Sequence, residues 1–381
     1  MRRRVELLLF SAGWGANHFS ALLIVYRRAL GFTASQLGLL FGAYALGLVP
    51  GLIFAGRESD ARGRRALVLP ASLAAACASS LLGSSQGFAT LIAGRLLYGL
   101  AMGAIMSPGS VWLQELSPDG RGPRRATLAL SAGFGVGPLI SGALAEFAPH
   151  PTMLPYALHT ALIIGSWLGA RSVPETAQKK RPIDLRPRAR NLATVRLLLR
   201  QLPVAPWAFG LAAVTLVILP GILRAQVARP VLYSACVIAV TLAAGVAMQP
   251  LLGRVGRRPD LVGLGLGALG VVLGAYAVGV RSPSLVFVVA VLVGCGYGLV
   301  MTSGLREIAE RVEARERGSA VGVYYVLTYV GFALPFVHAL VAKSWGDVAT
   351  LEATSVTVGL CLALRALISR GGQVADGARR D

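Results

Sequence analysis

The stretch Gly56–Arg65, "GRESDARGRR", separates two long apolar runs and decides how the chain folds. It holds four arginines, two acids and two glycines in ten residues. The runs on either side, at 34–55 and 66–84, are long enough to cross a bilayer as helices, because about 20 apolar residues span its hydrocarbon core. We therefore predict a hairpin of two membrane helices whose charged loop stays in water.

The rest of the chain repeats this alternation of apolar runs and short polar segments. Hydrophobic residues make up 55% and charged residues 14% of the 381 residues, and the mean hydropathy is +0.65. A membrane-spanning segment must satisfy its own backbone hydrogen bonds, which favours helices. We predict an all-α integral membrane protein whose twelve transmembrane helices lie at approximately 5–26, 34–55, 66–84, 88–111, 126–147, 152–171, 204–223, 229–252, 260–280, 283–303, 319–342 and 348–369.

Basic residues are concentrated on alternate loops. The net charge of +20 would by itself also suit a protein that binds nucleic acid. With the N-terminus inside, however, 29 of the 37 lysines and arginines fall on cytoplasmic segments. This asymmetry is the positive-inside pattern of membrane proteins. We therefore expect a multi-pass protein of the bacterial inner (plasma) membrane, with both termini cytoplasmic, membrane lipid as a partner and no nucleic acid.

The two halves of the chain echo each other. The loop at 56–65 is matched after the eighth span by "GRVGRRPD", with Gly253, Arg254, Gly256, Arg257 and Arg258. Gly56 and Gly253 are separated by the same interval as Pro138 and Pro335. Six spans with matched loops, twice over, are typical of transporters built from two parallel repeats. We predict two pseudo-symmetric six-helix bundles at 1–171 and 204–370, a cytoplasmic linker at 172–203 and a cytoplasmic tail at 371–381.

The loop at 56–65 resembles the signature between the second and third helices of the major facilitator superfamily. The signature's glycine, acid and basic positions are matched by Gly56, Asp60, Gly63, Arg64 and Arg65, while Glu58–Ser59 and Ala61–Arg62 depart from it. The resemblance implies a tight turn in which Asp60 pairs with an arginine, caps a helix end and keeps the cytoplasmic side closed. The alternative is a loop whose arginines only fix the topology.

The fourth span, in "LIAGRLLYGLAMGA", resembles a second pattern of the family through Leu91, Arg95, Gly99 and Gly103. An arginine inside a span costs roughly 2.5–3.5 kcal/mol on insertion scales, so Arg95 should face protein or a water-filled cavity. Arg95, Gly99 and Gly103 share one helical face, where small residues permit close packing. The resemblance implies a role for Arg95 in proton transfer or carboxylate pairing. The alternative is an arginine that snorkels to the outer surface.

The fifth span, in "GFGVGPLISG", resembles an element of the family's drug/proton antiporters. Its matching positions are Gly133, Gly137, Pro138, Ser141 and Gly142, with Ser141 in place of a glycine. The resemblance implies a pliable helix tied to antiport, and ordinary tight packing is the alternative. The sixth span ends in "VPET", at 173–176, which also recurs in the family.

Ionisable groups inside the spans are the candidates for energy coupling. Carboxylates are nearly missing there, since Glu6, Glu115, Glu146, Asp347 and Glu352 lie near span ends. The candidates for a proton or substrate path are Asn17, His18, Arg95, Tyr325 and Tyr329, with His159 and His338 as further interior histidines. Histidine can carry a proton between about pH 5 and 8, but each of these residues can equally have a structural role.

Patterns typical of enzymes and metal sites are missing from the sequence. No P-loop lysine, His/Cys cluster or CxxC pair occurs, and the four cysteines fall inside predicted spans. We expect a monomeric transporter with a small-molecule substrate, with protons as a candidate second partner, without cofactor, metal or enzymatic activity. The favoured function is proton-coupled export of a small, fairly apolar compound by alternating access. The alternatives are import or facilitated diffusion of a sugar or other metabolite, and a transporter-like sensor without turnover.

Overall fold

A computed structural model describes residues 1–84, 86–176, 192–256 and 258–377, and the side chains at 56, 57, 60, 314, 315, 317–319 and 370–377 are outside that description. Within these ranges the chain is helical and forms no strand. The helices are α1 Arg2–Leu30, α2 Ala34–Arg62, α3 Arg64–Ser84, α4 Phe88–Glu115, α5 Gly122–Phe147, α6 Leu154–Ala170, α7 Leu192–Gln201, α8 Pro206–Ala213, α9 Leu219–Leu223, α10 Pro230–Met248, α11 Pro259–Gly279, α12 Leu285–Arg311, α13 Ala314–Tyr329, α14 Leu334–Trp345 and α15 Asp347–Gly377.

The helices have the lengths that membrane spans require. In the described ranges, eleven helical segments are long and apolar enough to cross a membrane. The sixth predicted span is α6, which is shorter at 17 residues. The prediction of an all-α, multi-pass membrane fold is therefore confirmed.

The first compact unit, unit 1, comprises Met1–Pro187 and Val227–Ala239. In it α1 packs along α5, α2 along α4, and α3 against both α4 and α6. Small residues set the spacing of the first two pairs. A Cβ added at Gly133 of α5 would lie 2.7 Å from the backbone nitrogen of Trp14, and one at Gly103 of α4 would lie 2.6 Å from the Leu48 carbonyl oxygen. The backbones of these helices therefore touch, which larger residues would prevent.

The second compact unit, unit 2, comprises Arg188–Gln226 and Val240–Asp381. In it α11 packs against α12 and α15, and α8 packs against α12 and α13. Residues 172–203 were predicted to be a linker, but α7 at its end is a packed helix. Leu197 and Leu198 of α7 lie in one buried cluster with Ile308, Val312 and Tyr324. The remainder of the predicted linker, 177–191, lies outside the described residues.

Two predicted spans of unit 2 are interrupted, although the sequence analysis treated each as one helix. The seventh contains a π-helical segment, Val214–Ile218, between α8 and α9. The eleventh contains a 3-10 segment, Val330–Ala333, between α13 and α14. Proline stands in the first turn of both α9 and α14, where its missing N–H and fixed φ end the preceding hydrogen-bond ladder. Local proline chemistry therefore explains both breaks.

Candidate functional site

The turn between α2 and α3 closes on a glutamate from far along the chain. α2 ends at Gly63, whose φ of 104° favours glycine and whose N–H donates to the Ser59 carbonyl at 3.0 Å. The Glu175 carboxylate then accepts the backbone N–H of Arg64 at 3.0 Å and that of Arg65 at 2.9 Å. Negative charge is favourable at a helix N-terminus, so Glu175 caps α3.

The side chain of Arg64 extends the same charged cluster. It donates to the Ser59 hydroxyl at 2.6 Å and forms an ion pair with Glu115 of α4 at 3.2 Å. The Thr176 hydroxyl donates to the other oxygen of Glu115, and Arg65 donates to the Arg171 carbonyl at 2.6 Å. The loop of unit 1 is therefore tied to the segment that follows α6.

The acids that the structure brings to this loop are Glu175 and Glu115. Glu175 lies within "VPET" and was not predicted to have a role, and Glu115 lies near the end of its predicted span. The side chains of Gly56 and Asp60 lie outside the described residues, so the gate role of Asp60 stays a prediction. The sequence signal that could have indicated the cap was an acid shortly after the sixth predicted span.

The matching loop in unit 2 is built differently. Gly256 has a left-handed φ of 101°, and Arg258 donates to the Ser369 carbonyl at 3.4 Å. Gly253 and Arg254 are exposed, and Arg257 lies outside the described residues. The sequence repeat thus preserves a turn. The acidic residues that pair with a buried arginine in unit 2 lie on the helices α11 and α12.

Those acids surround Arg365, a residue that the sequence analysis missed. Its guanidinium lies 2.7 Å from Asp260 of α11 and 2.8 Å from Glu307 of α12, and it donates to the Arg200 carbonyl of α7 at 3.1 Å. Gln201 also donates to Glu307, at 2.6 Å. The Arg365 side chain is only 4% exposed. The signal for this cluster was available in the sequence: an arginine inside the last predicted span has to face protein.

Arg95 of α4 is even more deeply buried, at 1% exposure. It donates to the carbonyls of Leu40 at 3.1 Å and Phe41 at 3.3 Å, both in α2. The guanidinium carbon also lies 4.3 Å from the centre of the Phe19 ring and 4.7 Å from that of the Tyr44 ring. A snorkelling arginine would be exposed, so that alternative is wrong.

Two buried histidines lie side by side in unit 1. His18 of α1 and His159 of α6 are fully buried, with ring centres 5.0 Å apart. The Nε2 atom of His159 lies 3.0 Å from the Ser11 carbonyl, and its Nδ1 atom lies 2.9 Å from the Ser79 hydroxyl. Neither ring nitrogen of His18 has a hydrogen-bond partner among the described residues. Asn17, the preceding candidate, is only partly buried.

Hydroxyl groups line the neighbourhood of this histidine pair. Tyr98 donates to the Ala12 carbonyl at 3.0 Å and lies 3.3 Å from Nε2 of His159. The hydroxyls of Tyr26 and Tyr156 share a hydrogen bond of 2.6 Å. The surroundings of the histidine pair are thus polar, and the polar groups there are mainly neutral.

Unit 2 contains instead a row of aromatic rings, which we call the aromatic row: Phe209, Tyr297, Tyr325, Tyr329 and Phe332. Tyr325 and Tyr329, one turn apart on α13, stack with ring centres 6.4 Å apart. Phe209 of α8 stacks on Tyr329 at 4.6 Å and meets Phe332 edge-on at 5.0 Å. Phe209, Tyr297 and Tyr325 are partly exposed, whereas Tyr329 and Phe332 are buried.

The α5 residues singled out in the sequence pack against two helices. Gly133 and Gly137 lie against the backbone of α1 at Trp14, and Gly142 lies against Ala235 of α10. Pro138 stands inside an uninterrupted helix, and Ser141 is fully buried with no hydrogen-bond partner for its hydroxyl among the described residues. At the end of α5, Glu146 accepts the backbone N–H of Val231 at 2.8 Å and that of Leu232 at 3.1 Å.

The remaining candidate, His338 of α14, lies apart from the aromatic row. Its Nε2 atom is 3.2 Å from the carboxylate of Asp347, the first residue of α15. It lines an open cleft of about 600 Å³ that Trp207 and Trp345 also border. His338 therefore belongs to a separate feature of unit 2.

One ion-pair cluster, outside the spans, surrounds Asp119 in the loop between α4 and α5. The Asp119 carboxylate accepts the backbone N–H of Arg121 at 3.2 Å and pairs with Arg2 and Arg125, each at 3.2 Å. The Arg121 hydrogen bond and then the two positive charges lower the pKa of Asp119 below its usual value. Arg125 also pairs with Glu6 at 3.0 Å, so this cluster joins α1 to α5.

Solved structures of transporters share this fold. The chain superposes on a peptide transporter, POT, with a TM-score of 0.82 and 12% identity, covering 97% of this chain and 94% of that one. It superposes on the nucleoside transporter NupG with a TM-score of 0.74 and 12% identity, covering 96% of this chain and 98% of that one. At such identities the likeness shows the fold alone.

Curated relatives are similar over shorter segments. The glucose transporter GlcP of Staphylococcus epidermidis is 27% identical over 167 residues, which cover 43% of this chain and 37% of the relative. The quinolone resistance protein NorA of Staphylococcus aureus (strain Mu50) is 27% identical over 128 residues, which cover 33% of each chain. The match thus spans little more than a third of either relative.

A family model covers much more of the chain. The model of the Major Facilitator Superfamily matches residues 6–336 and, in a second match, 213–368. Together these ranges include both units and nearly all the helices described above. The chain therefore belongs to the Major Facilitator Superfamily and is a multi-pass membrane protein.

Proposed function

We propose that this transporter exports a small, fairly apolar aromatic compound in exchange for protons. The observation that carries the proposal is the aromatic row of unit 2. Its rings stack within 4.6 to 6.5 Å of one another, and three of its members are partly exposed. Aromatic faces at such spacings bind flat apolar molecules by stacking and by removing apolar surface from water.

Export is supported by two further observations. The α5 residues that resemble the drug/proton antiporter element pack tightly on α1 and α10, as a flexible seam between helices requires. One relative is named for quinolone resistance, and quinolones are flat aromatic compounds. A compound of that class is therefore the first substrate to test.

For the proton, the geometry favours His159 over His18. The Ser11 carbonyl can only accept, so Nε2 of His159 carries a hydrogen in either protonation state. Nδ1 faces the Ser79 hydroxyl, which can donate to a neutral ring or accept from a charged one. Both states of His159 are thus hydrogen-bonded, whereas His18 lacks a partner for either nitrogen among the described residues. We place the transported proton on His159, next to His18.

Transport into proteoliposomes tests the function. Purified protein is reconstituted, and movement of a fluorescent quinolone is measured with and without an imposed pH gradient. We expect accumulation against the quinolone gradient only when the pH gradient is present. Uphill accumulation that does not respond to the pH gradient would contradict proton exchange.

Variants of the histidine pair test the proton site. His159→Gln keeps hydrogen-bonding capacity but loses titration, so it should abolish gradient-driven accumulation and leave downhill quinolone movement. His18→Gln is the matched control and should retain part of the accumulation. If His18→Gln loses accumulation and His159→Gln keeps it, the proton belongs on His18.

A second candidate function is the import or facilitated diffusion of a sugar. It is supported by the similarity to a glucose transporter over 167 residues. Tyrosine rings with hydroxyls suit a sugar's apolar faces and hydroxyls as well as they suit a quinolone. The same proteoliposomes are therefore loaded with D-glucose. Glucose movement without quinolone movement would favour this function, and movement of neither would favour a sensor without turnover.

The orientation is part of the proposal. The basic loops place both termini on the cytoplasmic side by the positive-inside rule, in the plasma membrane. A fusion of a fluorescent protein that is active only in the cytoplasm, placed at either end, should fluoresce. Loss of fluorescence at either end would contradict a cytoplasmic location of that end.

A further inference from the structure

Among the described residues, the buried charge of Arg95 has no acid beside it. Its four described partners are two backbone carbonyls and two aromatic rings, all of them neutral. The Nη1 atom is buried and has no hydrogen-bond partner among the described residues. A guanidinium stays charged at any physiological pH, so this part of unit 1 holds a net positive charge away from water.

Carbonyls and rings offset only part of such a charge. A cation over an aromatic ring gains about 0.5–2 kcal/mol, whereas an ion taken out of water loses several kcal/mol of solvation. Buried charges in proteins are therefore usually paired with an opposite charge. Arg365 in unit 2 follows this rule with two carboxylates, so the chain supplies counter-charges where the fold brings acids near.

The carboxylates of unit 1 that the structure describes are all engaged elsewhere. They lie at helix ends or in loops, and each has a partner of its own. Their partners are Arg125 for Glu6, Arg62 for Glu58, Arg64 for Glu115, Arg2 and Arg125 for Asp119, the α10 backbone for Glu146 and the α3 backbone for Glu175. Within the described part of unit 1, then, no side chain supplies the missing negative charge to Arg95.

A second unpartnered group lies in the same region. His18 directly precedes Phe19, whose ring covers the Arg95 guanidinium at 4.3 Å. Arg95 and Tyr98 lie one turn apart on α4, and the His159 ring joins Tyr98 to His18 with centre distances of 5.6 and 5.0 Å. The neutral His18 ring carries one N–H, and this donor has no described acceptor. Nη1 of Arg95 and the N–H of His18 are thus two buried donors without a described acceptor, and the described groups around them are neutral.

We propose that unit 1 binds one small monovalent anion beside Arg95, with chloride as the physiological example, and that His18 donates the second hydrogen bond to it. One negative charge would neutralise the single guanidinium. A monatomic anion needs less space beside two buried donors than a larger carboxylate compound would. The proposal does not rest on the aromatic row, and its binding test requires no transport.

Direct binding of radioactive chloride to the purified full-length transporter tests the site. The protein is held in gluconate at constant ionic strength while chloride is titrated. Bromide or sulfate is added as a competitor in separate samples. We expect saturable binding of one chloride per chain, with bromide competing and sulfate not competing. Absence of saturable chloride binding to the wild type would overturn the proposal.

Variants at the two buried arginines locate the anion. Arg95→Gln removes the charge and should weaken chloride binding more than tenfold. Arg95→Lys keeps a charge without the guanidinium geometry and should weaken it less. Arg365→Lys is the matched control, because it changes the other buried arginine equally, and it should bind like the wild type. Wild-type affinity in Arg95→Gln would overturn the proposal.

His18→Leu and a stability readout keep the test decisive if Arg95→Gln does not fold. His18→Leu should weaken chloride binding severalfold while the protein elutes as a single peak on size exclusion. Chloride in place of gluconate should raise the Tm of the wild type and of Arg365→Lys, since a ligand that binds only the folded state stabilises it. Equal chloride binding and equal Tm shifts in His18→Leu, Arg95→Lys and the wild type would refute the assignment. Failure of quinolone export would leave these binding results unaffected.

Discussion

Arg95 in unit 1 and Arg365 in unit 2 are the same residue in similar burial but in opposite surroundings. Arg95 is 1% exposed and contacts two carbonyls and two rings. Arg365 is 4% exposed and contacts Asp260 and Glu307. Unit 2 thus neutralises its buried arginine with carboxylates, while unit 1 surrounds its own with neutral groups.

The difference shows that two halves with matched loops need not share the same electrostatic design. In unit 1 the acids stand at helix ends, where Glu175 caps α3 and Glu115 pairs with Arg64. In unit 2 the acids reach inward to an arginine from the last helix. Removing one partner of a buried ion pair leaves the other charge buried and unpaired, which is destabilising. Removing a buried charge that has no counter-ion leaves no unpaired charge behind. Neutralisation should therefore destabilise the protein more at Arg365 than at Arg95.

The largest expected effect comes from Arg365→Gln. It leaves Asp260 and Glu307 without their shared counter-charge, and loss of one partner of a buried pair typically costs about 3–5 kcal/mol. Arg95→Gln strands no acid among the described residues, so in chloride-free buffer its free energy of unfolding should stay within about 1 kcal/mol of the wild type. Thermal unfolding of both variants in detergent makes the comparison, and equal losses of stability would show that the surroundings of the two arginines do not matter.

A smaller effect is expected from Asp260→Asn, which makes unit 2 more like unit 1. Arg365 keeps Glu307 and the Arg200 carbonyl but loses one charged hydrogen bond, which is worth about 1.5–3 kcal/mol. The loss of stability should therefore lie below that of Arg365→Gln in the same unfolding assay. A loss as large as that of Arg365→Gln would mean that Asp260 alone holds the cluster.

Glu175→Gln probes the surface counterpart in unit 1 and should cost about 0.3–1 kcal/mol, as loss of a negative charge at a helix N-terminus does. The glutamine retains an acceptor for the N–H groups of Arg64 and Arg65 but loses the negative charge. Because this cap holds the α2–α3 turn, we also expect slower quinolone transport in proteoliposomes.

Asp60→Asn is the companion variant, and it should also slow quinolone transport. Wild-type transport in Asp60→Asn would show that the loop at 56–65 only determines the topology.

The smallest effect is expected from Asp119→Asn, because this carboxylate is solvent-accessible and its ion pairs are screened. The pKa of Asp119 is lowered in the folded state, so its contribution to stability is present above the unfolded pKa of about 3.9 and is lost as the pH falls through the folded value. At pH 7 the Tm of Asp119→Asn should lie slightly below that of the wild type, and the difference should be pH-independent between pH 6 and 8. A large Tm change at pH 7 would contradict this ranking.

The sequence by itself determined the membrane fold, because apolar runs of sufficient length must become helices in lipid. Hydropathy placed the spans, and the motifs at Gly63 and Arg95 pointed to the family that the whole-chain match confirmed. Periodicity also placed Tyr325 and Tyr329 on one face of a helix. These features depend on residues close together in the chain, so a linear sequence carries them.

Only the tertiary structure decided which charges and rings meet. Glu175 reaches the start of α3 from 110 or more residues away, and Arg365 reaches Asp260 across 105 residues. The same holds for His18 beside His159 and for Phe209 on Tyr329, which come from different helices. Such pairs depend on how helices cross and rotate, and that is set by side-chain packing over the whole unit. Whether a buried arginine finds an acid is therefore a property of the packed helices, and the local sequence around Arg95 and Arg365 does not encode it.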